Sequence, residues 1–213
     1  MRPDDLGWVP IGHQGDASEV AARIADLGSS AMLAFDGDQH IGQLQVRRHL
    51  PGTRSPHGVL DPLYWGDFGA HEPNLPDGAI AIYCYHVGQL DDTDARDVRY
   101  QGRGIGTQLL DTLLAWADER GIPAIVAKAV PPYRPVAAYM GGQPTAIYAA
   151  RGFITVASWI DEDLRAVVAR DDLAPDGISL DDAARVSCCV RLRSGLVAWG
   201  NGRPAEPGRG EDR

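Results

Sequence analysis

Apolar and polar positions alternate along this chain with two distinct periods. From residue 105 the apolar side chains Ile105, Leu109, Leu110, Leu113, Leu114 and Ala117 recur at the spacing of one buried helix face, with Asp111, Asp118, Glu119 and Arg120 opposite. Gly121 with Pro123 beyond it marks the helix end. A second helix is predicted after Asp16, a candidate N-cap with Glu19 three residues on, burying Val20, Ile24 and Leu27 and ending at Gly28.

The β-type segments are shorter. Residues 31–35 and 40–46 flank Asp36-Gly37-Asp38, a hairpin signal. Residues 79–90 are apolar almost throughout, as in a central strand buried on both faces. Further strands are predicted at 122–130, 153–159 and 186–192, with a short edge strand at 8–11. A short helix starts at Pro144, as a first helical position, and runs to Arg151, and a further one lies within 161–174. Residues 51–78 break both periods with five prolines, yet hold Tyr64, Trp65, Phe68 and His71. Long loops of that kind are functional more often than not, and the aromatic content argues against disorder. The segment reads as a lid over a binding site, or as a surface flap or a contact in a homodimer. Residues 200–213 have no apolar core and read as a disordered tail behind a single domain over 1–199.

Charge and cysteine usage narrow the function classes. A formal net charge of −9 argues against broad binding to nucleic acid or to anionic membrane, and favours a cationic acceptor. No apolar run approaches the roughly 18 residues of a membrane span, and the N-terminus has no apolar targeting core. The three cysteines, Cys84 and the adjacent Cys188 and Cys189, form neither a disulfide framework nor a metal-ligand spacing. Together these features describe a soluble, cytoplasmic protein without a metal.

The candidate chemistry sits before the helix at 105. Gln101-Gly102-Arg103-Gly104-Ile105-Gly106 strips side chains from alternate positions of a loop that feeds a helix N-terminus. Unpaired backbone N–H groups and the positive helix end suit a phosphate there. Neither the dinucleotide pattern nor the Gly-Lys-Ser/Thr triplet of nucleoside-triphosphate loops fits the residues present. Arg96, Arg99 and Arg103 lie near the loop, interleaved with Asp91, Asp92, Asp94 and Asp97, so a solvated charged loop stands beside a polyanion site as a reading.

The Gln-x-x-Gly-x-Gly loop resembles the pyrophosphate loop of the GCN5-related N-acetyltransferase (GNAT) family, and Tyr148-Ala-Ala-Arg-Gly152-Phe153 is similar to that family's Tyr-x-x-x-Gly-Phe signature. The resemblance covers about residues 30 to 195. It implies an α/β fold of the α+β kind: a central, mostly antiparallel mixed sheet with splayed fourth and fifth strands and flanking helices. It further implies acetyl-CoA as co-substrate, held by Gln101, Gly102, Arg103, Gly104, Ile105 and Gly106 at the pyrophosphate and by His86, Val87 and Gly88 along the pantetheine arm. The implied reaction is direct attack of a primary amine, of a small molecule or a peptide, on the thioester. Tyr148 would serve the leaving thiolate, and a backbone N–H near Val87 the oxyanion. Against this, Tyr148 also reads as a core tyrosine on Phe153. The base is open: His86 is the nearest titratable group, with Glu72 and Asp67 behind it. The family often has Asn where this chain has Gly141. A non-catalytic acyl-CoA sensor on the same fold is the alternative.

Overall fold

The computed structural model describes residues 17–50, 68–90 and 95–193. The expectations for 8–11, for Asp16, for 51–67, for Asp91, Asp92 and Asp94 and for 200–213 lie outside the described residues.

Six strands form one sheet: β1 Ala31–Asp36, β2 Gln39–Arg48, β3 Ile80–Val87, β4 Ala124–Ala129, β5 Ile154–Ile160 and β6 Arg185–Leu192. Their spatial order is β1-β2-β3-β4-β6-β5. Every neighbouring pair is antiparallel except β3 and β4. The mixed, helix-flanked sheet expected from the family resemblance is therefore present. The strands expected as fourth and fifth are β3 and β4 in this numbering. Their parallel register covers only Ile80–Ile82 against Ile125–Ala127, although β3 continues to Val87 and β4 to Ala129. Beyond Ile82 the two strands splay.

Helices cover both faces. They are α1 Ala17–Leu27, α2 Ile105–Glu119, α3 Arg134–Met140, α4 Thr145–Ala149, α5 Glu162–Arg170 and α6 Leu180–Ala183. The face of α2 predicted from its spacing is the buried one: Leu109, Leu110, Leu113, Leu114 and Ala117 pack with Leu44, Val46, Ile80, Ile82 and Ile125. Across the sheet, Val186, Tyr83 and Val130 pack with Val136 and Met140 of α3 and Leu164, Val167 and Val168 of α5. The three cysteines are free and buried.

Three sequence expectations change. Residues 134–140, for which the sequence suggests no element, form α3: Pro135 sits in the first turn, where its missing N–H is harmless, and Gly141 ends the helix in the left-handed region. Pro144 is the N-cap of α4 rather than its first residue. The described end of the proline-rich segment is core: Phe68 is buried against Ala81, Val126, Cys188 and Val190, and His71 stacks on Trp159 at 4.5 Å.

Candidate functional site

A bulge in β3 decides which side chains reach the site. Gln45 pairs with Cys84 and Val46 with Ile82, so Tyr83 is one residue too many for the alternation. Ile80 and Ile82 face α2, and after the bulge so do Tyr85 and Val87, whereas Cys84 and His86 turn to the opposite face. The N–H of Gly88 donates to Ile41 of β2 at 2.8 Å. Strand amides alternate in direction, so those of Val87 and Tyr85 turn towards the gap left by β4.

Opposite that gap stands the N-terminus of α2. Gly102 and Gly104 adopt φ of +70° and +76°, and a Cβ on either would meet nothing within 4 Å. Gly104 caps the helix without a side chain, and its carbonyl accepts the first helical bond from Gln108 at 2.9 Å. The N–H groups of Ile105, Gly106 and Thr107 precede that bond and have no partner within the helix. Between the helix start and the splay lies a cavity of about 690 Å³. Its wall includes Val87, Gln101, Gly102, Gly104, Ile105 and Gly106, six of the positions expected to hold a cofactor.

The other expected positions fall elsewhere. Arg103 faces a second cavity of about 390 Å³ beside Asp36 and Tyr100. Gly88 is a tether: its carbonyl accepts from Asp97 N at 2.7 Å, and a Cβ would come within 2.7 Å of the Asp97 carbonyl. His86 is buried behind β3, with Nε2 2.8 Å from Cys84 Sγ and Nδ1 3.0 Å from Arg96 Nη2. Tyr148 is 1% exposed and lies in the core, its ring 5.1 Å from Phe153, and it is not among the residues that line the cavity. Burial pushes its phenol well above the ordinary range. Of the alternative bases, Glu72 lies 3.8 Å from His49, and Asp67 lies outside the described residues.

Several cavity residues were not expected. Two tyrosines, Tyr85 and Tyr100, line the wall; the Tyr85 hydroxyl donates to the Gly106 carbonyl, and the Gln143 side chain also hydrogen-bonds it. Burial raises this phenol too, and the Gln143 bond opposes the shift only in part. Gln143 fills the space beside Gly106, where a Cβ would stand 2.5 Å from its Nε2. Two cations line the wall, Arg96 and Arg134, the latter donating to Gln101 Oε1 at 3.2 Å. Arg99 is turned away in a 2.6 Å pair with Asp97. The strand signal at 79–90 could not place Tyr85, because the bulge inverts the alternation. Arg134 was hidden by the helix that two flanking prolines obscured.

Residues 75–140 match a family model described as the acetyltransferase (GNAT) family. That span holds β3, the glycine loop, α2, β4 and α3, and it bears out the resemblance carried by the loop. Among curated proteins, none matches the chain. Of solved structures, the chain is similar to a GNAT-like decarboxylase, GphF, in complex with isobutyryl-CoA, at 16% identity and a TM-score of 0.47, over 90% of this chain and 96% of that one. It is also similar to a GNAT-family acetyltransferase from Streptococcus pneumoniae at 14% identity and a TM-score of 0.46, over 91% and 96%. A Bacillus subtilis acetyltransferase in complex with CoA overlays at 14% identity and a TM-score of 0.43, over 85% and 95%. Among the described residues no group of three or more His, Cys, Asp or Glu could hold a metal ion, and no helix is long and apolar enough to cross a membrane.

Proposed function

We propose, from the GNAT domain carried by residues 75–140, that this protein transfers an acetyl group from acetyl-CoA to a primary amine by direct attack. The observation that carries the reading is the cavity itself: it joins an open, doubly glycine-lined helix N-terminus to the splay between β3 and β4. Such a shape takes a ligand with a polyanionic end and a thin arm. The pyrophosphate would sit on the N–H groups of residues 105–107, with Arg96 and Arg134 as counter-charges. The arm would lie along Tyr85 and Val87, whose N–H groups face the gap, and the N–H near Val87 would receive the developing oxyanion.

The departing thiolate needs a hydrogen bond or a proton at the inner end of the arm. The resemblance gives this role to Tyr148, which lies in the core and off the cavity wall; its raised phenol keeps its proton, so in that role it would donate rather than act as a base. Tyr85 holds the wall between Tyr148 and the loop by its bond to Gly106. His86 is the proposed base. The acceptor is an amine of a small molecule or peptide, in keeping with a net charge of −9, and the compartment is the cytoplasm. A non-catalytic acyl-CoA sensor would share the cavity without turnover.

Calorimetry with acetyl-CoA and CoA, followed by a free-thiol assay over a panel of amines, tests the reading. Micromolar binding with amine-dependent thiol release is expected. Binding without release for any amine would establish the sensor, and absence of binding would remove the donor site.

A further inference from the structure

The splay between β3 and β4 is bridged at its inner end by the chain's own backbone. In a strand the N–H and C=O of one residue leave on the same side, and that side alternates from residue to residue. The His86 carbonyl stands on the β2 side, 3.1 Å from the Cβ position of Gly42, so the N–H and C=O of Tyr85 point into the gap. At the start of β4 the Pro123 carbonyl accepts from Arg193 on the β6 side. Val130 has the opposite parity, so its N–H points into the gap as well.

Both open edges meet one short segment. Gly141 lies so close to β3 that a Cβ on it would stand 2.6 Å from the Tyr85 carbonyl oxygen. The Gln143 carbonyl accepts from Val130 N–H at 3.1 Å, and Pro144 bridges to Val130 in parallel register. Residues 141–144 therefore cross the gap from edge to edge, beyond the end of the β3–β4 pairing at Ile82 and Ala127. The Gln143 side chain carries the crossing on to α2, against Gly106 and the Tyr85 hydroxyl. All four residues form wall of the cavity. Tyr148 packs behind that wall with Tyr85, Ala127 and Ala129. The crossing can rearrange: Gly141 and Gly142 are adjacent glycines, and Gly141 already holds a φ of +71°.

We propose that residues 141–144 are a strap across the path of the donor's arm, and that Gln143 is the positioning residue that holds it shut. With the strap in place, an arm lying on the free edge of β3 pairs at Val87 and stops where Gly141 covers the Tyr85 carbonyl. It passes Tyr85, and brings a thioester to Tyr148, only when the strap lifts, because two backbones cannot share that space. This inference rests on the cavity being the coenzyme A site. Lifting the strap is taken out of arm binding, so the apparent affinity falls by the fraction of molecules that are open. The nucleotide end, on the N–H groups of residues 105–107, bears none of that cost.

Calorimetry of the full chain with coenzyme A, and with the same nucleotide lacking the arm (adenosine 5′-diphosphate 3′-phosphate), tests the strap. Gln143→Ala removes the contact with Gly106 and the bond to Tyr85. Tyr85→Phe is no substitute, since it also cuts the bond to the Gly106 carbonyl. Gln143→Ala, or Gln143→Ser should the alanine variant fail to fold, should bind coenzyme A about 3- to 10-fold more tightly than wild type, the worth of releasing about one neutral hydrogen bond. The armless nucleotide should bind wild type and variant alike, within about twofold. Gly141→Ala, which sets a methyl against the Tyr85 carbonyl and pushes the strap off β3, should shift coenzyme A binding in the same direction. Coenzyme A affinity that is unchanged or weaker in the Gln143 variant overturns the strap and leaves the donor site standing, as does an equal gain for both ligands. No binding of coenzyme A by wild type or variants removes the donor site and the strap together.

Discussion

The Tyr85 hydroxyl donates to the carbonyl of Gly106, so the bulged strand β3 is tied to the first turn of α2 across the cavity they both line. This bond sets the spacing between the helix N-terminus and the splay. Tyr85→Phe should weaken coenzyme A binding about 5- to 10-fold by calorimetry and lower stability by about 1 kcal/mol, the worth of one neutral hydrogen bond.

Tyr148→Phe separates that positioning role from chemistry. The ring keeps its place on Phe153, so coenzyme A affinity and Tm should stay close to wild type. Turnover should fall about 10- to 1,000-fold, the range of a positioned proton donor. A rate within about twofold of wild type, with chemistry rate-limiting, would make Tyr148 a core residue only.

The two loop glycines should fail differently. At Gly104 the φ of +76° and the open space beside it mean that valine is strained, by about 1–2 kcal/mol, and projects into the ligand's space. Gly104→Val should lose coenzyme A binding while keeping its fold by circular dichroism. Gly106→Val must displace Gln143 and crowd the Tyr85 hydroxyl, 3.3 Å from the Cβ position. It should lose binding and Tm together.

Lys128 and Asp161 form a 2.6 Å ion pair, 2% and 9% exposed at their side chains, and Asp161 also caps α5 through Leu164 N at 3.0 Å. Asp161→Ala leaves a buried ammonium without its partner and should cost about 3–5 kcal/mol in urea unfolding. Adding Lys128→Met should restore part of that loss. A double variant no more stable than the single one would contradict the pairing argument.

Burial, with Cys189 and Glu72 nearby, pushes the Cys188 thiol up to about 12 from 9.0. The folded value is the raised one, so its contribution to stability is complete below pH 9.0 and is lost as the pH climbs through about 12. Cys188→Ala should flatten the fall of stability that begins near pH 9 in chemical denaturation, and an unchanged alkaline slope would show that the thiol does not titrate with unfolding.

Helical spacing located α2, and apolar β-forming runs bounded by turn signals located β1 to β6 to within a few residues, even β5, whose side chains stay largely exposed. The glycine loop was equally legible: alternate glycines before a helix leave backbone N–H groups exposed whatever surrounds them. Six of the nine positions named from the resemblance line the cavity. The remaining parts of the site depend on contacts between distant segments. An unpaired residue at Tyr83 exists only relative to β2, and it alone decides that Tyr85 faces the cavity and His86 the opposite side. Arg96 and Arg134 are far apart in the chain and share one wall only after α3 folds across the splay. Local spacing records which face of an element is buried. Which cavity a side chain enters is set by register, by where β3 parts from β4, and by what packs opposite, and these arise only from tertiary structure.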